Sequence, residues 1–60
     1  MPLVRIDMWP GRTREQKKNL IRKVTDAVVE SLDVKPNAVT VLLNEVDQAD
    51  WAIGGVTRDQ

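Results

Sequence analysis

The 60-residue chain has no cysteine, no histidine, no phenylalanine and no tyrosine. Each absence removes a class of chemistry. Without cysteine there is no disulfide framework and no thiol nucleophile, and without cysteine or histidine the usual zinc ligand sets cannot be assembled. Without histidine there is no Ser-His-Asp triad. Nine basic and nine acidic residues give a formal net charge of zero. With no Lys/Arg run, the chain carries no electrostatic footprint for nucleic acid or for an acidic membrane surface. No apolar run approaches the roughly 18 residues of a membrane span, and there is no apolar signal-peptide segment. The expectation is a soluble, cytoplasmic domain without metal, cofactor, nucleic-acid or membrane partner.

Size bounds the answer further. An unfolded 6.8 kDa chain exposes on the order of 9,900 Å², and a 60-residue domain buries only about 60% of that. If about 60% of the buried part is apolar, burial contributes ~90 kcal/mol, against ~90 kcal/mol for ordering the chain. The two cancel. With neither disulfide nor metal to staple it, the fold is expected to be completed by self-association.

What is present is well patterned. Residues 3 to 9 alternate, with Val4, Ile6 and Met8 on one face and Leu3, Arg5, Asp7 and Trp9 on the other. This period of two reads as a strand, ended by Pro10-Gly11. Thr13 to Gln16 fits a capping box, in which the threonine oxygen and the glutamine side chain each satisfy a backbone N–H of the first turn. Leu20, Ile21, Val24, Ala27, Val28 and Leu32 then form a one-sided stripe at helical period. Lys18, Arg22, Asp26 and Glu30 lie opposite. The helix is expected over residues 14 to 32, with Pro36 beyond its end.

Residues 38 to 46 read as a second strand. Val39, Val41 and Leu43 share one face, and Leu42 and Val46 the other, so both faces are apolar. One helix covers only one face of a two-stranded sheet, and the second face again calls for another subunit. A helix of this length between two strands is a crossover, so the strands are expected to be parallel and the connection right-handed. The fold class is α/β, a single βαβ unit over residues 2–60. Gly54-Gly55 marks a tight turn or a short hairpin, and Thr57 to Gln60 reads as a polar, disordered tail.

Pro2 follows the initiator methionine. Removal of Met1, which a small second residue favours, would leave proline with a free secondary amine. Together with Gly11-Arg12-Thr13, Glu15-Gln16-Lys17, Ser31-Leu32 and Trp51 two residues before Ile53-Gly54-Gly55, this resembles the 4-oxalocrotonate tautomerase (2-hydroxymuconate tautomerase) family across nearly the whole chain. The resemblance implies an oligomer with sheets inward and helices outward, commonly a hexamer built as a trimer of dimers. It also implies a cofactor-independent isomerase of aromatic catabolism, acting on an enol or dienol carboxylate.

Under that resemblance Pro2 is the general base. An α-amino group ordinarily titrates near ~7.7–8.0. An apolar pocket and a nearby guanidinium both disfavour its charged form and bring it toward working pH. Arg12 matches a family arginine that binds a substrate carboxylate and stabilises developing negative charge. As a cation at the positive end of a helix it gains nothing from the dipole. Trp51 matches a pocket aromatic, and Trp9 falls at another apolar position of that pocket. One departure stands out: the family's second active-site arginine falls at Thr40, which cannot hold a carboxylate by charge. Arg5 is a candidate substitute. The departure leaves open a different substrate, weak activity, or a heterohexamer whose other subunit supplies the arginine. A non-catalytic oligomeric binding module is the alternative of another class.

Overall fold

The computed structural model describes residues 1–60. The elements run β1 (Leu3–Met8), α1 (Arg14–Leu32), a 3₁₀ turn (Pro36–Ala38), β2 (Thr40–Glu45), a second 3₁₀ turn (Gln48–Asp50), β3 (Ala52–Ile53) and β4 (Val56–Thr57). β1 and β2 pair in parallel from Leu3 opposite Thr40 to Met8 opposite Glu45. Two further bonds extend the ladder beyond both ends, from Thr40 N–H to the Pro2 carbonyl (3.0 Å) and from Val46 N–H to the Met8 carbonyl (2.8 Å).

The helix starts where its capping residues put it. Thr13 Oγ1 accepts from Gln16 N–H at 3.1 Å, and Gln16 Oε1 accepts from Thr13 N–H at 2.9 Å. Thr13→Ala is expected to destabilise the folded chain by about 0.5–2 kcal/mol, read as a lower urea midpoint with an unchanged slope. The helix ends on Asp33, whose φ of 54° takes the left-handed conformation that halts the helical path.

The half-buried side chains Val4, Ile6, Val41 and Leu43 lie beneath half-buried Leu20, Ile21, Val24 and Val28 of the helix. The opposite face of the sheet carries Leu3, Arg5, Asp7, Thr40, Leu42 and Asn44, and nothing in the chain covers it. Leu3 is 56% and Leu42 48% exposed, and no residue of the single chain is fully buried. The consequence shows in the overall dimensions. The surface of 4835 Å² compares with about 4,000 Å² for a compact monomer of this mass. The radius of gyration of 14.3 Å compares with about 10 Å. The molecule is a slab of 42 × 25 × 13 Å, one helix on two strands.

Three details differ from the sequence expectation. β1 stops at Met8, so Trp9 already belongs to the turn. The second strand starts at Thr40, because Pro36 opens a 3₁₀ turn in which Ala38 N–H donates to the Lys35 carbonyl (2.9 Å) and Val39 N–H to the Pro36 carbonyl (3.1 Å). The segment read as a tail is ordered as far as Arg58. Gly54 and Gly55, at φ 61° and 81°, form a two-residue turn with both central residues left-handed. That turn folds β4 onto β3, with Ala52 opposite Thr57 and Ile53 opposite Val56. No helix is long and apolar enough to cross a membrane.

Candidate active site

Arg12 is placed by the loop between β1 and α1. Gly11 adopts φ 118°, a conformation L side chains rarely reach. Open space surrounds the position where a Cβ would stand, so the glycine is there for its backbone and not for room. The loop leads from β1 to α1 in a few residues and leaves Arg12 exposed beside the N-terminus of α1. Arg12 forms no ion pair, whereas Arg5 is held by Asp7 at 3.8 Å and Lys17 by Glu45 at 3.1 Å.

Beside Arg12 lies a cleft of about 190 Å³ lined by Met8, Trp9, Pro10, Arg12, Gln48 and Trp51. Its wall is the pair of tryptophans, packed edge to face with ring centroids 5.8 Å apart and planes at 79°, the geometry that the aromatic quadrupole favours. Trp51 is anchored from both sides. Its N–H donates to the Gln48 carbonyl at 3.2 Å, and its carbonyl accepts from Arg58 N–H at 2.8 Å. The 3₁₀ turn leading to it is capped by Asp47, which accepts from Ala49 N–H at 3.1 Å. A second cleft of about 180 Å³, lined by Met8, Arg12, Gln16, Lys17 and Leu20, lies on the other side of Arg12. The chain thus presents one uncommitted guanidinium between two concavities, one of them aromatic. No three carboxylates converge to make a metal-ligand set.

Arg12, Trp9 and Trp51 therefore meet at one cleft, but Pro2 does not join them. It lies at the opposite end of β1, roughly 20 Å away at the rise of a strand, and the hydrogen-bonded ladder fixes that distance. Pro2 is half-buried and held to β2 through the bond to Thr40. Met1 before it is 94% exposed and accessible to removal. While Met1 is attached, the Pro2 nitrogen is an amide. Thr40 and Arg5 lie on the uncovered face of the sheet, and Asp7, the partner of Arg5, also accepts from Asn44 Nδ2 at 3.0 Å. Arg5 thus lies on a different face of the chain from the cleft and does not line it. Any site that uses Pro2 together with Arg12 and the tryptophans must draw them from different copies of the chain.

Three residues of the cleft, Met8, Pro10 and Gln48, carry no signal of their own in the sequence. The first two were legible only as strand end and turn. Gln48 enters because Asp47 caps a short turn, a local pattern that an Asx motif at Asp47 could have revealed.

The fold and cleft together define a small α/β protein, a βαβ unit with a C-terminal hairpin. A family model described as tautomerase enzyme matches residues 2–59. The chain belongs to that tautomerase family. It is 42% identical over 60 residues to a 2-hydroxymuconate tautomerase of Comamonas testosteroni, covering 100% of this chain and 95% of that one. Among solved structures it is similar to YwhB, a homologue of 4-oxalocrotonate tautomerase (TM-score 0.94, 36% identity, 98% of this chain and 97% of the other). It is similar also to a chain of a heterohexamer 4-oxalocrotonate tautomerase from Chloroflexus aurantiacus J-10-fl (TM-score 0.94, 35% identity, 100% and 97%).

Proposed function

We propose that the protein is a cofactor-independent isomerase that interconverts enol and keto forms of a 2-hydroxydienoate or a related enol acid. After loss of Met1, the secondary amine of Pro2 takes a proton from one position of the enol and returns it to a carbon, so the product is an isomer of unchanged composition. Arg12 binds a substrate carboxylate and stabilises the negative charge that develops during the transfer. Trp51 and Trp9 keep water from the cleft and so strengthen that electrostatic contact. The observation that carries this reading is the uncommitted Arg12 guanidinium beside a cleft walled by two packed tryptophans, in a chain of the tautomerase family. The fixed separation of Pro2 from that cleft supports a site completed by a second copy, in an oligomer of the hexameric kind.

Ketonisation of 2-hydroxymuconate and of phenylenolpyruvate, followed by ultraviolet absorbance, tests the proposal. The wild-type chain is expected to accelerate at least one of them. Arg12→Ala is expected to lower kcat/KM by about 10²-fold, in line with loss of one charged stabilising donor. An Arg12→Ala variant as active as the wild type would remove Arg12 from the site.

Thr40 favours a second reading, in which this chain is the arginine-lacking subunit of a heterohexamer, with the similarity to the Chloroflexus heterohexamer chain as its support. Native mass spectrometry of the chain expressed alone separates the two. A homo-oligomer that turns over substrate excludes the second reading, and an inactive or monomeric product favours it. Uniform retention of Met1 in cells would instead favour a non-catalytic binding module.

A further inference from the structure

Charge at the tryptophan cleft is one-sided. Met8, Trp9, Pro10, Gln48 and Trp51 are uncharged, and Arg12 is the single ionised side chain that lines it. Lys17 lines the other cleft and is held by Glu45 at 3.1 Å. The turn that supplies Gln48 and leads to Trp51 carries two exposed carboxylates, Asp47 and Asp50, and no cation. Arg58 is tied to that turn through its backbone N–H, but its side chain does not line the cleft. A carboxylate beside Arg12 therefore meets a guanidinium free of any ion pair. A second carboxylate reaching into the same cleft would exchange water for indole surface and an amide. An ionised group desolvated without a partner is strongly disfavoured, and the negative charges of the adjoining turn add to the penalty.

The uncharged part has a shape of its own. The two indoles stand at 79° with centroids 5.8 Å apart, so the edge of one meets a face of the other and the remaining faces stay free. Trp9 sits just beyond the end of β1 and is 40% exposed. Two perpendicular rings make a corner. A flat conjugated group laid in it stacks along one indole and meets the other at its edge, the two arrangements that aromatic pairs favour. At about 190 Å³ the cleft is smaller than the roughly 300–1,000 Å³ of a drug-sized site, and it suits a small acid with one ring.

We propose that the cleft selects an enol acid with one carboxylate and an aromatic body, and that Trp9 sets this preference over an unsaturated dicarboxylate. The inference rests on the reading of the cleft as the substrate site and names the substrate class within it. Arg12 fixes the carboxylate with its fork of donors, and the indole corner receives the aryl group.

The test titrates the full-length protein by calorimetry with 3-phenylpropanoate, hexanoate and adipate, none of which can tautomerise. Both tryptophans of the chain line the cleft and there is no tyrosine, so a change in intrinsic fluorescence on binding places the ligand there. The wild type is expected to bind 3-phenylpropanoate at least tenfold more tightly than adipate, with a fluorescence change. Trp9→Leu keeps the wall apolar but removes the ring. It is expected to weaken 3-phenylpropanoate at least fivefold and leave hexanoate within twofold, with Trp9→Tyr restoring most of the loss. In turnover, Trp9→Leu is expected to raise KM for phenylenolpyruvate at least fivefold with kcat within threefold, and to leave 2-hydroxymuconate within twofold. Adipate binding as tightly as 3-phenylpropanoate overturns the proposal, since a neighbouring copy would then supply a second cation. Equal weakening of both monocarboxylates by Trp9→Leu, or a smaller native mass for that variant, overturns the role of Trp9. Binding without a fluorescence change removes the ligand from the cleft. Affinity is read here without chemistry. An inactive protein that still prefers 3-phenylpropanoate would end the isomerase reading and leave this one, and an active protein that prefers adipate would do the reverse.

Discussion

Replacing Pro2 with alanine is expected to lower kcat/KM for ketonisation of 2-hydroxymuconate by about 10²-fold, and retention of Met1 to lower it by about 10²–10⁴-fold, the range that a positioned base contributes. The two changes act differently. Alanine is small and permits removal of Met1, so that variant still ends in an amine but loses the ring that fixes its direction. Retained methionine turns the nitrogen into an amide, whose lone pair is delocalised into the planar peptide bond. No proton can then be taken up there. The structure makes this a clean comparison, because Met1 is 94% exposed and the strand after Pro2 does not depend on it. Intact mass of each preparation identifies the N-terminus, and the rate is read on the same sample. Equal activity of the wild type, the alanine variant and a Met1-bearing form would remove the amine from the mechanism.

The sequence made the βαβ unit legible because its signals are local. The Thr13–Gln16 capping box, the helical stripe and the alternation of residues 3 to 9 each depend on neighbours a few residues apart. The structure has the capped helix over Arg14–Leu32 and the strand as far as Met8, while Ala27 and Leu32, read as part of the stripe, are exposed. The start of the second strand was less legible. Val39 is β-branched and looks like strand, but the hydrogen bonds set by Pro36 claim the N–H groups of Ala38 and Val39 first. The polar residues after Gly55 looked like a tail for a similar reason. Their order comes from the glycine turn and from pairing with residues before it, which composition does not reveal. In the cleft, Arg12, Trp9 and Trp51 could be named from the sequence, but their distance from Pro2 could not, since it follows from β1 running between them in a fixed ladder.

That distance ties chemistry to assembly, and it gives the second large effect. Leu42→Asp is expected to reduce the oligomer to smaller species and to abolish turnover, with both followed together by native mass and by the ultraviolet assay. Leu42 lies in the middle of the sheet face that no part of the chain covers, opposite Arg5 in the strand pairing. If another copy packs there, the introduced carboxylate is buried without a partner that could offset its desolvation, a penalty of several kcal/mol at each contact. A chain that buries too little surface to be compact on its own has no reserve to absorb that loss. The matched control is Ala27→Glu. The sequence places Ala27 in the apolar stripe of α1, but the structure leaves it exposed, and an added charge there stays in water and is expected to change neither mass nor rate. The pair of variants separates the orientations of packing. If helices face outward and sheets inward, only the leucine variant falls apart. If the alanine variant dissociates and the leucine variant does not, the helices form the interior and the uncovered sheet face needs another explanation. If the leucine variant keeps both its mass and its activity, the cleft and Pro2 must meet in some other way than through packing on this face.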